Sequence, residues 1–335
     1  MSNATSTPVP IASGLDLIQE PVKDRLGGIV EEMRRIIASD FEAHEEVNEY
    51  LLKMRGKLFR PTLLLLASEV GGQSHKDAVP LAAVVELVHL ATLVQDDAVD
   101  HSVLRRGLPT VNHLWNHQVA IITGDVLYSR SMIELSRIGR LEAIQSLAYA
   151  SNQMSVGELR QLRSFDALQC SEEAYDRLIA CKTASLMSAA CEIGALVGVE
   201  EHRDTFRRFG HALGMAFQIA DDLLDYEGIE ELTGKPVGHD LRERKVTLPL
   251  VEAMRRVGPQ DRETIRQFFT RLDPSDDDIN EIIVLVRHAG GLDYARERAR
   301  DFAQEARLIL DRIPATGAAE TSLRASIEYA VERTR

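Results

Sequence analysis

The chain has 335 residues, which is enough to bury a large apolar core in one or two domains. Its formal net charge is −13, from 52 acidic and 39 basic residues. This acidic excess argues against a nucleic-acid surface, because such a surface gains its affinity by neutralising phosphates.

The beginning of the chain and its cysteines indicate where the protein resides. Residues 1–14 are small, polar and proline-containing, which predicts a disordered tail ahead of a single domain over 15–335. The tail lacks the basic leader and apolar segment of a signal peptide, and no run of about 18 apolar residues follows. Cys170, Cys181 and Cys191 have neither metal-ligand nor redox spacing. We therefore expect a cytoplasmic protein with reduced thiols and at most peripheral membrane contact.

From Leu15 onward, apolar residues recur at three- and four-residue spacing, and strand-like alternation is hard to find. This pattern predicts helices over 17–38, 41–53, 58–71, 78–102, 111–134, 139–164, 171–197, 201–228, 246–255, 258–270, 274–288, 290–312 and 318–333. Several of them are apolar almost all round, as in the middle of a large bundle. The expected fold is all-α, with one domain. The longest connection, 229–244, is rich in glycine and predicts a mobile loop over a site.

Two similar segments interrupt apolar helices with three carboxylates each. LVQDDAVD contains Asp96, Asp97 and Asp100, and QIADDLLD contains Asp221, Asp222 and Asp225. In each segment the outer pair, four positions apart, shares one helical face. Clustered carboxylates repel one another unless a cation lies between them, and all-oxygen ligation suits Mg²⁺. One such cluster is as often a solvated helix end, but two copies favour facing metal sites that hold a diphosphate while its carbon–oxygen bond ionises.

Basic residues accompany both aspartate clusters. Each alone is more often a solvated charge, but their position in an acidic protein favours diphosphate binding, above all for Arg105, Arg106 and Lys235. The basic residues after the first cluster are Arg105 and Arg106; those after the second are Lys235, Arg242, Arg244 and Lys245; those at the start of an early helix are Lys57 and Arg60.

From about residue 50 to its end, the chain resembles the trans-isoprenyl diphosphate synthase family. ELVHLATLVQDDAVDHSVLRRGLPTVN is similar to the first aspartate-rich motif, and FQIADDLLDYEG with GKPVGHDLRERKVTLPL to the second motif and its lysine loop. RGKLFRP resembles the GGKRxRP motif, and LIACKTASLM the KTA motif. Arg55 and Leu58 replace a glycine and an arginine of that pattern, and Gln95 stands where histidine is common. The resemblance implies a helical bundle around a central cavity, the isoprenoid synthase fold.

The resemblance also implies a role for each matching residue. Asp96 and Asp100 would hold two Mg²⁺ ions, with Asp97 supporting them, and Asp221 would hold a third, assisted by Asp222 and Asp225. The residues expected at the allylic diphosphate are Arg105, Lys182 and Lys235, with Lys245 as a further basic residue. Thr183 and Gln218 would line the reacting carbons. The residues expected at the diphosphate of isopentenyl diphosphate are Lys57, Arg60, His89 and Arg106.

Product length in this family depends on bulk along the helix that carries the first cluster. Thr92 lies one turn before Asp96, and Ala91 is its neighbour. Short-chain enzymes often place aromatic residues there, whereas these small residues leave a tunnel open. We therefore expect a medium- or long-chain product. The candidates for the tunnel floor are Val88, Tyr128 and Met132.

Three alternatives remain at this point: a short-chain farnesyl- or geranylgeranyl-type synthase, a terpene cyclase, and a non-catalytic subunit of a heteromeric synthase. A cyclase would normally lack the second aspartate cluster and the basic set for isopentenyl diphosphate. A non-catalytic subunit predicts eroded aspartates, but all six are present. The resemblance also implies a homodimer.

Overall fold

The computed structural model describes residues 14–54, 56–73, 75–163, 170–227, 237–271, 273–314 and 317–332, and these residues are mainly helical. The first half of the chain contains α1 (Gly14–Gln19), α2 (Lys23–Ile37), α3 (Glu42–Lys53), α4 (Phe59–Glu69), α5 (Ala78–Val99), β1 (Leu104–Arg105), β2 (Leu108–Pro109), α6 (Val111–Leu114), α7 (His117–Ile138) and α8 (Leu141–Arg163).

The second half contains α9 (Glu172–Ile179), a π-helical turn (Ala180–Ala184), α10 (Ser185–Gly198), α11 (Arg203–Glu227), α12 (His239–Arg242), α13 (Leu248–Arg256), α14 (Pro259–Thr270), α15 (Asp276–His288), α16 (Gly291–Leu310) and α17 (Ala318–Val331). Single 3₁₀ turns precede α2 and α11. The two strands form a short antiparallel hairpin directly after the first aspartate cluster.

The core is made by helices that are apolar on nearly every side. Helix α5 buries the run from Leu81 to Val88, and α10 buries most of its length. The segments Ala78–Val99 and Glu172–Gly198 are long and apolar enough to cross a membrane by length and composition, but 67% of each apolar window is buried inside the protein. Core packing therefore accounts for their apolar character.

Glycines let the central helices approach closely. A side chain at Gly194 of α10 would overlap the backbone carbonyl of Leu64 in α4. At Gly214 of α11, a Cβ atom would lie 2.6 Å from Cα of Ala184 in the π-helical turn. These close approaches seat the turn directly against α11, the helix of the second aspartate cluster.

The buried residues form two clusters that share helices. One cluster joins α1–α8 with α10 and α17, and the other joins α9 with α12–α15. Helices α11 and α16 contribute side chains to both clusters. The division into one domain over 15–335 stays a prediction, and residues 1–13 lie outside the described part of the chain.

The all-α prediction is confirmed, and the structure differs from it in local details. The first predicted helix begins at Gly14 and is interrupted at Glu20–Val22, where Pro21 removes a backbone donor. The helix predicted over 111–134 divides before His117, because Asn116 caps a new helix with its side chain. The helix predicted over 171–197 contains the π-helical turn Ala180–Ala184.

Candidate active site

The first aspartate cluster lies at the end of α5, where the helix leaves the core. Asp97 is buried, with 4% of its surface exposed, and it accepts two hydrogen bonds from Arg105, at 2.7 Å each. Asp96 is partly exposed and Asp100 is exposed. The middle carboxylate is thus held by the protein, and the outer pair is left for ligands.

Two cations face this outer pair. Lys182, from the π-helical turn, lies close enough to lower the pKa of Asp96, as Lys245 does for Asp100. The effects of burial and of neighbouring carboxylates, which raise the pKa, exceed the lowering effect of the two lysines. The pKa of Asp96 is therefore raised to about 6, and the pKa of Asp100 is raised as well. A divalent cation would relieve this cost, because it favours the charged form of both carboxylates.

The second aspartate cluster lies on α11. Asp221 is exposed and Asp225 partly exposed, whereas Asp222 is buried. Asp225 accepts hydrogen bonds from the backbone nitrogens of His239 and Asp240, at 3.0 Å each, and so holds the start of α12. Burial, followed by the charge of Asp240, raises the pKa of Asp225 to about 6.

The π-helical turn connects the two clusters. On one side, Lys182 forms a 2.5 Å ion pair with Glu158 and donates a 2.8 Å hydrogen bond to Gln161, both on α8. On the other side, Thr183 donates a 2.6 Å hydrogen bond to Gln218 on α11. A π-helical turn re-aims side chains locally and is frequent at functional sites. Here it directs two neighbouring residues towards different aspartate clusters.

A second link between the clusters is Lys245. Its ammonium group interacts with Asp100 of the first cluster, and with Glu243 and Asp240 beside the second. Glu243 also pairs with His239 at 3.1 Å. Burial alone would raise the pKa of Glu243, but the hydrogen bonds from His239 and Lys245 lower it to about 2. Lys245 therefore joins Asp100 of the first cluster to the acidic residues beside the second cluster.

Some of the residues expected at the diphosphate of isopentenyl diphosphate come together in the structure. Arg60 lies 3.1 Å from the ring of His89, and Arg106 donates to the carbonyl of Met54. Burial, together with the nearby arginines, holds the pKa of His89 well below its usual value. The buried carboxyl of Glu86 interacts with Arg60 and Arg106 and balances part of their charge.

The other predicted basic residues have different contacts. Lys57 is exposed, and its backbone carbonyl accepts a hydrogen bond from Gln19. Arg242 pairs with Asp276, and Arg244 donates to a backbone carbonyl of residue 271, so both are engaged on the other side of α12. Lys235 and the first part of the predicted loop over 229–244 lie outside the described residues.

The residues expected to set product length lie on adjoining faces of α5 and α7. Val88 and Ala91 are buried, with 1% and 2% of their surface exposed. Thr92 is partly buried and donates to the carbonyl of His89. Tyr128 and Met132 of α7 are partly buried against the same core cluster.

Several site residues escaped the sequence analysis. Glu158 and Gln161 hold Lys182, Tyr175 donates to Asp222, and Asp125 accepts a hydrogen bond from Gln95. The sequence feature that could have located some of these residues is a glycine inside a helix, because such a glycine marks the close approach of another segment. Gly157 precedes Glu158 and lies against the π-helical turn, and Gly124 precedes Asp125 and lies against Gln95.

The donor set fits Mg²⁺. In the part of the chain that the structure describes, no three acidic, histidine or cysteine side chains come close enough to hold a metal ion by themselves. Magnesium does not need such a cage, because it keeps several waters and binds through one or two carboxylates plus substrate phosphate. The outer carboxylates of both clusters, which are exposed or partly exposed, would provide those ligands.

Known proteins with similar sequences and structures are prenyl diphosphate synthases. The polyprenyl synthetase family profile matches residues 42–286. An all-trans-nonaprenyl-diphosphate synthase (geranyl-diphosphate specific) of Rhodobacter capsulatus is 35% identical over 89% of this chain and 91% of that protein. A short chain isoprenyl diphosphate synthase of Methanothermobacter thermautotrophicus is 34% identical over 85% of this chain and 89% of that protein.

A solved structure extends the comparison to the whole fold. The polyprenyl synthase of Caulobacter crescentus, complexed with calcium and isoprenyl diphosphate, superimposes with a TM-score of 0.90 at 34% identity. The match covers 97% of this chain and 100% of that one.

Proposed function

The chain belongs to the polyprenyl synthetase family, and from this premise we propose that it condenses isopentenyl diphosphate head to tail (1′–4) with an allylic diphosphate. The product is a medium- or long-chain all-trans polyprenyl diphosphate. The observation that carries the proposal is the π-helical turn, which places Lys182 beside the first aspartate cluster and joins Thr183 to the second.

The two aspartate clusters and the basic residues have different roles in the reaction. Asp96 and Asp100 would hold two Mg²⁺ ions and Asp221 a third, about three ions per site, and bound metal would neutralise the charge that develops on the departing diphosphate. Lys182, Arg105 and Lys245 add positive charge around the same leaving group. Arg60, His89 and Arg106 hold the diphosphate of isopentenyl diphosphate, so that its double bond faces the allylic cation. The proton lost after condensation passes to the released diphosphate, and no side-chain nucleophile is required.

A medium- or long-chain product is supported by the small residues Ala91 and Thr92 and by the nonaprenyl relative. A short-chain product is the alternative, since a short-chain relative has almost the same identity. Chromatography of the dephosphorylated products separates the two.

A homodimer is supported by apolar side chains that α7 and α8 expose. The exposed apolar residues of these two helices are Ile121, Ile122, Ile133, Leu141, Tyr149, Leu159 and Leu162. A surface of this kind on adjoining helices is typical of an interface. We place the protein in the cytoplasm, in agreement with its reduced cysteines, with at most peripheral contact with a membrane.

The decisive experiment incubates the purified protein with Mg²⁺, labelled isopentenyl diphosphate and a series of allylic primers, followed by sizing of the products. Asp96→Ala and Asp221→Ala are expected to lower turnover at least about 100-fold, because each removes stabilisation of the leaving group. Asp204→Ala is the control, since Asp204 lies on α11, is exposed and forms a surface ion pair with Arg207. Absence of any elongated product with every primer would refute the function.

A further inference from the structure

Asp222 lies in a chain of buried hydrogen bonds that leads from α9 to the π-helical turn. Tyr175, with 2% of its surface exposed, donates to Oδ2 of Asp222 at 2.6 Å. Gln218 donates from Nε2 to Oδ1 of the same carboxylate at 2.7 Å. Thr183 donates from its hydroxyl to Oε1 of Gln218 at 2.6 Å. Both oxygens of Asp222 are therefore occupied by protein donors.

The direction of these hydrogen bonds follows from the carboxylate. The amide of Gln218 turns its NH₂ group to Asp222, the orientation that suits an ionised carboxylate, since a reversed amide would place its oxygen 2.7 Å from a carboxylate oxygen. The amide oxygen then faces Thr183 and takes the hydrogen of its hydroxyl group. With that hydrogen committed, the oxygen of Thr183 presents lone pairs, and not a proton, to a neighbouring group. Lone pairs stabilise a developing carbocation, whereas a hydroxyl proton directed at the same point would repel it.

We propose that Tyr175 is a positioning residue, which fixes Asp222 and thereby orients Gln218 and the hydroxyl of Thr183. This inference rests on the proposed function, since it assumes that Thr183 lines the reacting carbons. Tyr175 touches neither substrate nor metal; it acts only through the carboxylate. In this arrangement Asp222 orients the chain of hydrogen bonds, and the family resemblance assigns the metal-binding role to Asp221, assisted by Asp225.

A second hydrogen bond that holds α9 provides a control for a purely structural effect of Tyr175→Phe. Tyr294 of α16 donates to both oxygens of Glu172 on α9, at 2.7 Å each. Tyr294→Phe therefore removes a phenol–carboxylate hydrogen bond that holds the same helix, without touching Asp222. If Tyr175 served only to anchor α9, the two phenylalanine variants would behave alike.

The test is a double-mutant cycle of Tyr175→Phe with Thr183→Val, measured as kcat and KM. Tyr175→Phe alone is expected to lower kcat by about 10- to 100-fold, because a misplaced Thr183 hydroxyl no longer faces the developing cation. The KM for isopentenyl diphosphate stays within about twofold. In the Thr183→Val background, Tyr175→Phe has little further effect, because the hydroxyl that it orients is gone. Tyr294→Phe keeps the kcat of the wild type.

A readout independent of turnover is Mn²⁺ binding in the presence of pyrophosphate, followed by electron paramagnetic resonance. Tyr175→Phe is expected to keep the Mn²⁺ affinity of the wild type within about threefold, since Asp221 and Asp225 are unchanged. The proposal would be overturned if the effects of the two substitutions on kcat multiplied in the double variant. It would also be overturned if the Mn²⁺ affinity fell in proportion to kcat. If Tyr175→Phe does not fold, Gln218→Met in the same cycle removes the amide that connects Asp222 with Thr183 without changing a charge, and the same criteria apply.

The two proposals fail in different ways. A wild-type protein that makes no elongated product contradicts the proposed function itself. A wild-type protein that makes product, together with a Tyr175→Phe variant of equal kcat, contradicts only the role of Tyr175.

Discussion

Asp97 and Asp222 are the middle aspartates of the two clusters, and the structure shows their hydrogen-bond partners. The sequence predicts that the outer aspartates of each cluster share a helical face, because they are four positions apart. It does not predict what the middle aspartates contact. Asp97 is bound by Arg105, eight positions later in the chain, whereas Asp222 is bound by Tyr175, 47 positions earlier. The first partner follows from the local turn, but the second depends on how α9 packs against α11.

Metal binding and pH are linked through Asp96 and Asp225. Their pKa values of about 6 in the folded metal-free protein exceed the ordinary value of 3.8. The folded state therefore binds more protons than the unfolded state between roughly pH 4 and pH 6, so these groups reduce stability as the pH rises through that interval. Above it both carboxylates are charged, and a divalent cation relieves the cost.

We therefore expect Mg²⁺ with pyrophosphate to raise the Tm more at pH 7.5 than at pH 5, where the cation must displace protons. Differential scanning fluorimetry at both pH values, with NaCl of equal ionic strength as the control, measures this. Replacement of both residues by Asn should remove most of the difference. An equal shift of Tm at the two pH values would show that these carboxylates do not bind the cation.

Ala91 tests the assignment of the product tunnel. Ala91→Phe places an aromatic ring on α5 within about two turns of Asp96, and we expect shorter products because the growing chain meets the ring sooner. Ala83→Phe is a matched control: Ala83 is equally buried on the same helix, but lies about two turns farther from the aspartates. Thin-layer chromatography of the dephosphorylated products compares the variants. An unchanged product distribution for Ala91→Phe would reject the tunnel along this face.

At the scale of single elements, the π-helical turn Ala180–Ala184 is the feature that sequence reasoning could not supply. The apolar spacing of 171–197 predicts one continuous helix, and the helix does continue on both sides of the turn. One extra residue in the turn shifts the side chains of Lys182 and Thr183 around the helix axis. That shift depends on glycine contacts with α8 and α11, which sequence spacing alone does not reveal.

Gly157 supports this turn from α8. A Cβ atom at Gly157 would lie 2.8 Å from Cγ of Lys182 and 2.9 Å from Cβ of Cys181, so Gly157→Ala must displace the turn. We expect kcat to fall about 10-fold or more and the free energy of unfolding to fall by about 1–3 kcal/mol. Steady-state kinetics and urea unfolding measure the two effects.

The matched control for this variant is Gly27→Ala in α2, where a Cβ atom would meet nothing within 4 Å. There we expect unchanged kcat and a gain in stability of about 0.5–1 kcal/mol, because alanine favours the helix. If Gly157→Ala keeps the kcat of the wild type, the turn does not depend on the close approach of α8.

At the scale of the whole molecule, the sequence predicts the all-helical architecture well because most helices carry an apolar face or are apolar throughout. The long helices α5, α8 and α11 lie within about three residues of their predicted bounds, whereas α7 begins at His117 because the helix predicted over 111–134 is divided. The packing of two core clusters around α11 and α16 could not be predicted, since it depends on which helix faces meet. For the same reason, the facing arrangement expected of the two aspartate clusters rests on their duplication and on the family resemblance, and not on apolar periodicity.

The exposed apolar surface of α7 and α8 leads to a prediction about assembly. Ile122 and Ile133 of α7 are 60% and 54% exposed, and their spacing of eleven residues places them on one face of the helix. In a symmetric dimer each substitution occurs twice, so a charge at both positions removes about four buried isoleucines, at roughly 1.5–3 kcal/mol each. We expect Ile122→Glu with Ile133→Glu to convert a dimer into a monomer in size-exclusion chromatography with light scattering.

The control for the dimer variant is Leu308→Glu on α16, which is 54% exposed on a different surface and should leave the dimer intact. A dimer that persists in the double variant would place the interface elsewhere, and a wild-type protein that is monomeric at micromolar concentration would exclude a stable dimer.

Because Gly157, Glu158 and Gln161 lie on α8 between this surface and Lys182, loss of the dimer should also lower kcat. Kinetics of the light-scattering samples test that coupling, since a fully active monomer would show that α8 is positioned by its own chain alone.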